Sequence, residues 1–426
     1  MASWVVADMD GTLVGKPGRT SDGDYAAPLL DASPVFEPLV QWLELGGNLL
    51  VVTSDDGNWP IRKVWRCLPL KYRTVSSAAA PRRVALCTSD GAALFHGDAE
   101  GNLVEDPVYR LTGSGGSVCT LDAATQPAIL ELAREMFTAF LLDLAAHPLL
   151  LESLDSATRK DYTALFERLQ EEVDGTREEP VAGWAWSEAD LRELVDLNSL
   201  MHPGGVKRRG GTVIWRNQAG PTEGWERSGG AAATGDRGED FISLCDPDCL
   251  APYTNLFLLG FPASHSPPYI QRFRAELEDL GVSASAAPNS VCIKNAAVDK
   301  ATPLKWLIDA DSPAAQVYDF RPGGTGLCLA FGDNPGGNDR PLANFAAGSP
   351  EVAAGAPAVL PFVSVASAVD DVPGWLRAAH VGGEEEGMAA VLRQMVAVLQ
   401  EGGGAAAVAD GGVAMAERAR ATASRL

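Results

Sequence analysis

The sequence is poor in the residues from which disulfide scaffolds and metal fingers are built. Its 426 residues include only seven cysteines and five histidines. The cysteines are scattered and odd in number, which excludes a self-contained disulfide framework and predicts reduced thiols in an intracellular compartment. Cys245 and Cys249 form the one close pair. No second Cys/His pair at zinc-site spacing accompanies them, so no structural zinc is expected. None of the histidines has a motif partner. Positive charge is also scarce: 34 Lys and Arg stand against 56 Asp and Glu, a net charge of −22. That excess excludes nucleic acid and anionic membranes as expected partners on electrostatic grounds. There is no apolar run long enough to span a bilayer. The first expected strand begins near Trp4, which leaves no room for a secretory signal peptide. The expected location is therefore cytoplasmic. One qualification stands at the other end, where Ser424-Arg425-Leu426 is a variant of the Ser-Lys-Leu peroxisomal address.

What is present is apolar material in ordered segments. The chain is 46% hydrophobic, ample for a large core, and its length predicts two domains or one core with a large insertion. "WVVAD" reads as a short buried strand and "NLLVVTSDDG" as a second, ending at Thr53. Between them a helix is predicted from Pro34 to Leu45, with Ser33 as N-cap, Pro34 in its first position and Gly46-Gly47 closing it. A strand–helix–strand unit of this kind predicts a parallel sheet. The middle differs. "RRVALCTSDGAALFHG" reads as strand, turn and strand. Residues 127–146 carry Ile129, Leu132, Phe137, Phe140 and Leu144 at helical spacing, and Tyr162, Leu165, Phe166, Leu169 and Val173 form a similar stripe. Residues 219–240 lack periodicity and read as a surface loop. "TNLFLLGF" and "SVCIKNAAVDK" read as strands, with one helix over "SPPYIQRFRAELEDLGV" between them. The last third returns to buried strands at "GLCLAFGDN" and "VLPFVSVA", a helix at 384–400 and a Gly/Ala-rich tail from 402.

Four polar points fall at expected carboxyl ends of strands or at a helix start: Asp8 with Asp10, Thr53 with Ser54, Lys300, and Asp333. Open parallel sheets bind ligands at the carboxyl ends of their strands, so these separate stretches can meet. The set matches the needs of phosphoryl transfer through an enzyme carboxylate. One carboxylate must attack phosphorus and a second must handle the proton of the leaving group and of water. Side chains one residue apart on a strand face opposite ways, so the chain must turn just after Asp8, and Gly11 permits this. Backbone N–H groups in such a turn can hold phosphate oxygens. The massed negative charge calls for Mg²⁺ and a lysine. Asp333 is placed to complete the metal site and Lys300 to neutralise phosphate and nucleophile, while Thr53 or Ser54 offers a hydroxyl. Asp55 and Asp56 read as solvated or capping acids. Lys207, Arg208 and Arg209 read as a solvated run, with a second anionic group of a substrate as the rival reading.

"DMDGTL", the strand ending "VVTS", "VDKATPLKWL" and "FGDNPGGND" resemble, in order, the four motifs of the haloacid dehalogenase (HAD) superfamily of phosphatases. The resemblance runs from about residue 4 to 395, and "HVGGEEEGMAAVL" is similar to the closing helix of the Cof-type members. It implies an α/β fold: a Rossmann-like core with a parallel sheet at residues 1–80 and 296–400, an inserted α/β C2-type cap at 81–295, and a tail at 401–426. It implies roles as well. Asp8 is the nucleophile, Asp10 the general acid and base, and Lys300 balances charge. Mg²⁺ is held through Asp8, the backbone carbonyl of Asp10, Asp333 and a further residue. That further residue is Asp339, with its neighbour Asn338 as the rival, because "GDNPGGND" is two residues longer than the usual motif. Its "GGND" ending is similar to eukaryotic phosphomannomutases. "TSDDG" stands where Cof-type enzymes carry Thr-Gly-Arg, leaving Thr53 and Ser54 as alternatives. The expected activity is hydrolysis of a small phosphorylated metabolite, a sugar or polyol phosphate. A phosphomutase and a catalytically weak HAD-fold binding protein are the alternatives. Oligomeric state is left open.

Overall fold

The structure is a computed structural model that describes residues 3–16, 18–19, 25–26, 28–54, 58–76, 80–106, 108–109, 125–154, 156, 159–160, 162–163, 166, 206–209, 212–217, 255–259, 261–262, 264–287, 290–309, 317–320, 328–347, 361–368 and 379–400. The chain divides into two compact units, one of residues 1–119, 242–244 and 298–426 and one of residues 120–241 and 245–297.

The first unit is built on an eight-stranded sheet. Its order is Ala379–His380, Phe362–Ser364, Cys328–Gly332, Trp4–Ala7, Asn48–Val52, Val84–Thr88, Ala93–Gly97, Leu103–Glu105. The first six run parallel, and the last two add an antiparallel edge. Chain order moves from Trp4–Ala7 toward one edge and then, from Cys328, toward the other. The sheet therefore reverses its winding at the first strand, which is where open α/β sheets form ligand crevices.

Near-continuous apolar strands can face two cores at once, because alternate residues point to opposite faces. Val5, Ala7, Leu49, Val51, Leu329 and Phe331 lie in one core, covered by Leu39, Trp42 and Leu43 of helix Phe36–Glu44 and by Met388, Val391, Leu392 and Met395 of helix Glu384–Gln400. Trp4, Val6, Leu50, Val52, Cys328 and Ala330 lie in the other, beneath Leu304, Trp306, Leu342 and Ala343. The result is a sheet between two helical layers.

The second unit has a five-stranded antiparallel sheet, ordered Val282–Ala287, Ser290–Asn295, Asn255–Leu259, Thr212–Asn217, Val206–Arg209. Helix Gln126–Ala146 supplies Phe137 and Phe140 to its core, with Phe261, Tyr269, Val291 and Ile293. Phe140 stacks on Phe261 with ring centroids 4.2 Å apart.

Three sequence expectations are corrected. An inserted unit beginning at 81 would take "VALCT" and "ALFHG" away from the core, but Val84–Thr88 pairs in parallel with Asn48–Val52, and Ala93–Gly97 extends the same sheet. The helix expected from Pro34 to Leu45 spans Phe36–Glu44. Ser33 Oγ accepts from the Val35 amide at 3.2 Å and donates to Leu13 O at 2.8 Å, so the cap is tied to the preceding loop and the helix starts later. The single helix over 267–280 is two, Pro267–Arg272 and Arg274–Asp279, separated at Phe273. The loop at 219–240, Cys245, Cys249, Asp55, Asp56, the tail from 401 and Ser424-Arg425-Leu426 lie outside the described residues, as do the side chains of Lys207, Arg208 and Arg209. Among the described residues no helix is long and apolar enough to cross a membrane.

Phe331 is fully buried on a strand that is paired on both sides, whereas Leu70 is 53% exposed. Urea unfolding is expected to show a loss of about 3–5 kcal/mol for Phe331→Ala and a change within about 0.5 kcal/mol for Leu70→Ala.

Candidate active site

The parallel register brings three strand ends to one edge: Ala7 lies between Phe331 and Val51. The residues that follow are Asp8, Asp333 and Thr53. The Asp8 amide still donates to Phe331 O at 3.1 Å, one residue beyond the strand. The chain then turns, with Met9 O accepting from the Leu13 and Val14 amides at 2.9 and 3.0 Å. Gly11 sits in that turn at φ +73°, in the left-handed region. A Cβ there would meet Asp333 Oδ2 at 2.6 Å, so its bareness also makes room for a carboxylate. Its amide donates to Val14 O at 2.7 Å. In this turn the residue supplies space and curvature.

Lys300 lies two residues before helix Thr302–Ile308, in a segment stapled by Asp299. Asp299 Oδ1 accepts from the Ala301 amide at 2.8 Å, and the Asp299 amide donates to Thr302 Oγ1 at 2.9 Å. Lys300 is fully buried; its Nζ donates to Asp8 Oδ1 at 2.8 Å and to Asp339 Oδ1 at 2.7 Å. Asp339 is aimed by its other oxygen, which accepts from the Asn334 amide at 3.0 Å. Asp8, Asp333 and Asp339, all buried, bring carboxylate oxygens within 4.8 Å of one another. Asn338 takes another direction, its Nδ2 lying 3.5 Å from Ser54 Oγ, and its Oδ1 is buried without a hydrogen-bond partner.

Three groups come into the site that sequence reasoning passed over. Lys63, the last residue of helix Asn58–Lys63, is 1% exposed and holds Asp10 Oδ1 at 2.7 Å. The Asp10 carboxylate is therefore turned to a lysine, and its side chain is not among the three clustered acids. Lys16 bridges Asp333 Oδ2 and Glu384 Oε1, each at 2.8 Å. Asp90 is buried at φ +57°, a strained conformation for a residue other than glycine, and accepts from Ser54 Oγ at 2.5 Å. The Ser54 hydroxyl proton is thus committed, while Thr53 is buried at the strand end. The lysines carry no motif around them. Only their spacing from the acidic strand ends, which needs the fold, marks them.

The electrostatics follow from burial. Removal from water, then the charges of Asp339 and Asp333, raise Asp8 well above the ordinary carboxylate range despite Lys300. Asp333 is raised for the same first reason and by Asp339, with Lys16 opposing. Burial pulls the Lys300 ammonium down, but Asp339 and Asp8 outweigh it and hold Lys300 charged. Asp8, Asp10, Asp333 and Asp339, with Asp90 and Glu384 beside them, outnumber the three ammonium groups Lys16, Lys63 and Lys300, so acidic groups are in excess at the site.

No protein-family model matches the sequence, and no curated protein matches it. Solved structures do match. Among them are haloacid dehalogenase-like hydrolases, a trehalose-6-phosphate phosphatase and an IMP-nucleotidase. A haloacid dehalogenase-like hydrolase from B. subtilis is 14% identical with a TM-score of 0.40, over 92% of this chain and 99% of that one. One from Bacteroides thetaiotaomicron is 12% identical with a TM-score of 0.42, over 93% and 100%. The Plasmodium falciparum IMP-nucleotidase is 11% identical with a TM-score of 0.37, over 80% of this chain, which spans 62% of that protein's length. At these values the likenesses carry no argument about activity, which rests on the residues themselves.

An acid raised above its unfolded value stabilises the fold most when protonated. The contribution of Asp8 is thus complete below its ordinary value of 3.8 and is lost as pH rises through its folded value. In metal-free protein Asp8→Asn is expected to melt above wild type, by a margin that widens as pH rises from 3.8 toward the folded value of Asp8. A margin that narrows over that range contradicts the account. Differential scanning calorimetry reads it.

Proposed function

We propose that the chain is a HAD-superfamily phosphatase that hydrolyses a small phosphorylated metabolite, a sugar or polyol phosphate, through an aspartyl phosphate on Asp8. One observation carries the reading: a buried carboxylate at the end of the central strand, with Lys300 Nζ at 2.8 Å and two further carboxylates within 4.8 Å. Structural acids are seldom massed in this way, because buried like charges oppose one another.

Asp8 attacks phosphorus, forming a P–O bond as the ester P–O bond breaks, and Asp10 gives the leaving oxygen its proton. Asp10 then takes a proton from water as the water oxygen attacks phosphorus. The bond from phosphorus to Asp8 breaks, releasing inorganic phosphate and restoring the carboxylate. Lys300 stays protonated between Asp8 and Asp339 and offsets the charge arriving with the phosphate. Thr53 is the hydroxyl chosen for a phosphate oxygen, since Ser54 serves Asp90.

The donor set is all hard oxygen and buried, which fits Mg²⁺. Asp8, Asp333 and Asp339 would hold it, with Asp10 contributing through its backbone. When bound, the ion neutralises the phosphate and orients it toward Asp8. The residues between the second and third motifs have the place in the chain that C2 caps have in the family, so the second unit is read as the cap that selects the substrate. "GGND" alone favours a mutase, and no observed contact adds to it.

The purified chain with Mg²⁺ is expected to hydrolyse p-nitrophenyl phosphate and to lose turnover on adding EDTA. Asp8→Asn should cost on the order of 10³-fold or more in kcat, and Asp10→Asn about 10²- to 10⁴-fold. Unchanged turnover in Asp8→Asn would falsify the reading. A screen of phosphorylated metabolites then identifies the substrate.

A further inference from the structure

Lys63 is a buried cation to which this scheme gives no task. A lysine in a six-residue helix next to a loop would ordinarily keep its ammonium in water, since the group is strongly hydrated. Lys63 instead is 1% exposed and reaches Asp10 Oδ1 at 2.7 Å, while the Asp10 side chain keeps 24% of its exposure. The site's three lysines divide its acids: Lys300 takes Asp8 and Asp339, Lys16 takes Asp333, and Lys63 takes Asp10. Asp10 is the member that keeps part of its side chain in solvent. It lies past the end of the strand, in the turn bridged to Val14, so the strand ladder does not itself orient the carboxyl.

Proton transfer tolerates rotation of that group poorly, because catalysis by a tethered group depends on its being held in reacting geometry. We propose that Lys63 is a positioning residue for the proton-transfer group. Its bond to Oδ1 orients the carboxyl group, and transfer runs through Oδ2. This inference rests on the phosphatase reading. In the first step the bond from Asp8 to phosphorus forms, the ester bond breaks and the proton on Oδ2 moves to the departing oxygen. In the second step Oδ2 takes a proton from the attacking water and the bond from phosphorus to Asp8 breaks. Lys63 touches neither substrate nor phosphorus in either step.

A positioning role separates from a structural one by its dependence on the leaving group. Dinitrophenolate departs without a proton, whereas phenolate needs one. kcat/KM reports only the steps through phosphoryl transfer to Asp8, so it isolates the acid step. The full chain with Mg²⁺ is assayed on phenyl phosphate and on 2,4-dinitrophenyl phosphate. Lys63→Met is expected to lower kcat/KM for phenyl phosphate about 10- to 100-fold and to leave the dinitrophenyl ester within about two-fold. Lys63→Arg, which keeps a donor, should restore most of the loss. If Lys63→Met does not fold, judged by calorimetry, Lys63→Gln carries the same comparison. Equal losses on both esters, or no loss on either, overturn the positioning role. If Asp8→Asn hydrolyses both esters as wild type does, the phosphatase reading falls first. Equal losses beside an inactive Asp8→Asn overturn the Lys63 role alone.

Discussion

The first unit is organised around one buried ammonium. Lys300 has no exposure and binds Asp8 and Asp339 together, joining the end of the first strand to the loop after a strand some three hundred residues later. Moving an ammonium out of water costs several kcal/mol, so the group is stable there only with carboxylates at hydrogen-bond distance. The converse holds for the acids. Asp8, Asp333 and Asp339 could not share so small a volume without a cation among them, and even with Lys300 present Asp8 is held well above the ordinary range. The site is therefore poised between attraction and repulsion. A divalent cation and a phosphate, arriving together, change its balance less than either alone.

That balance is possible because the sheet does the aligning. Parallel strands place their carboxyl ends on one edge, and the reversal of winding at Trp4–Ala7 leaves a crevice there. Small residues keep it open. A Cβ at Gly332 would stand 2.5 Å from Asp339 Oδ2, as one at Gly11 would from Asp333 at 2.6 Å. The apolar strands bury both faces and fix the polar ends by doing so. A shift of one residue in register would move Val5 and Ala7 from one core to the other, along with every side chain that follows.

Much of this was legible in the sequence, and the reason differs by residue. Asp8, Asp10 and Gly11 stand within four positions after an apolar strand, so their grouping and the turn between them can be read locally. Lys300, Asp333 and Asp339 are readable only through the order of the stretches that carry them. The strand Val84–Thr88 was legible as a strand but not as a member of the central sheet, because periodicity records burial and not the identity of the neighbour. Lys63 and Lys16 were not legible at all. A lysine is by default a surface residue, and what makes these two different is a carboxylate brought close by tertiary structure. The use of the Gly11 amide within its own turn was hidden for a similar reason, since a motif specifies residues and not the partner each N–H finds.

The bonds of Lys300 to Asp8 and of Lys16 to Glu384 span 292 and 368 positions. During synthesis Asp8 is made well before Lys300, its cationic partner. The first strand waits for its second neighbour until Cys328–Gly332 has been made, so the central sheet is built largely from non-local contacts, which close slowly. A partly made chain holds Asp8 but neither Lys300 nor Asp333. Lys300 precedes Asp333 and Asp339 in the chain, so the massed acids are never made before the ammonium that makes them tolerable to bury.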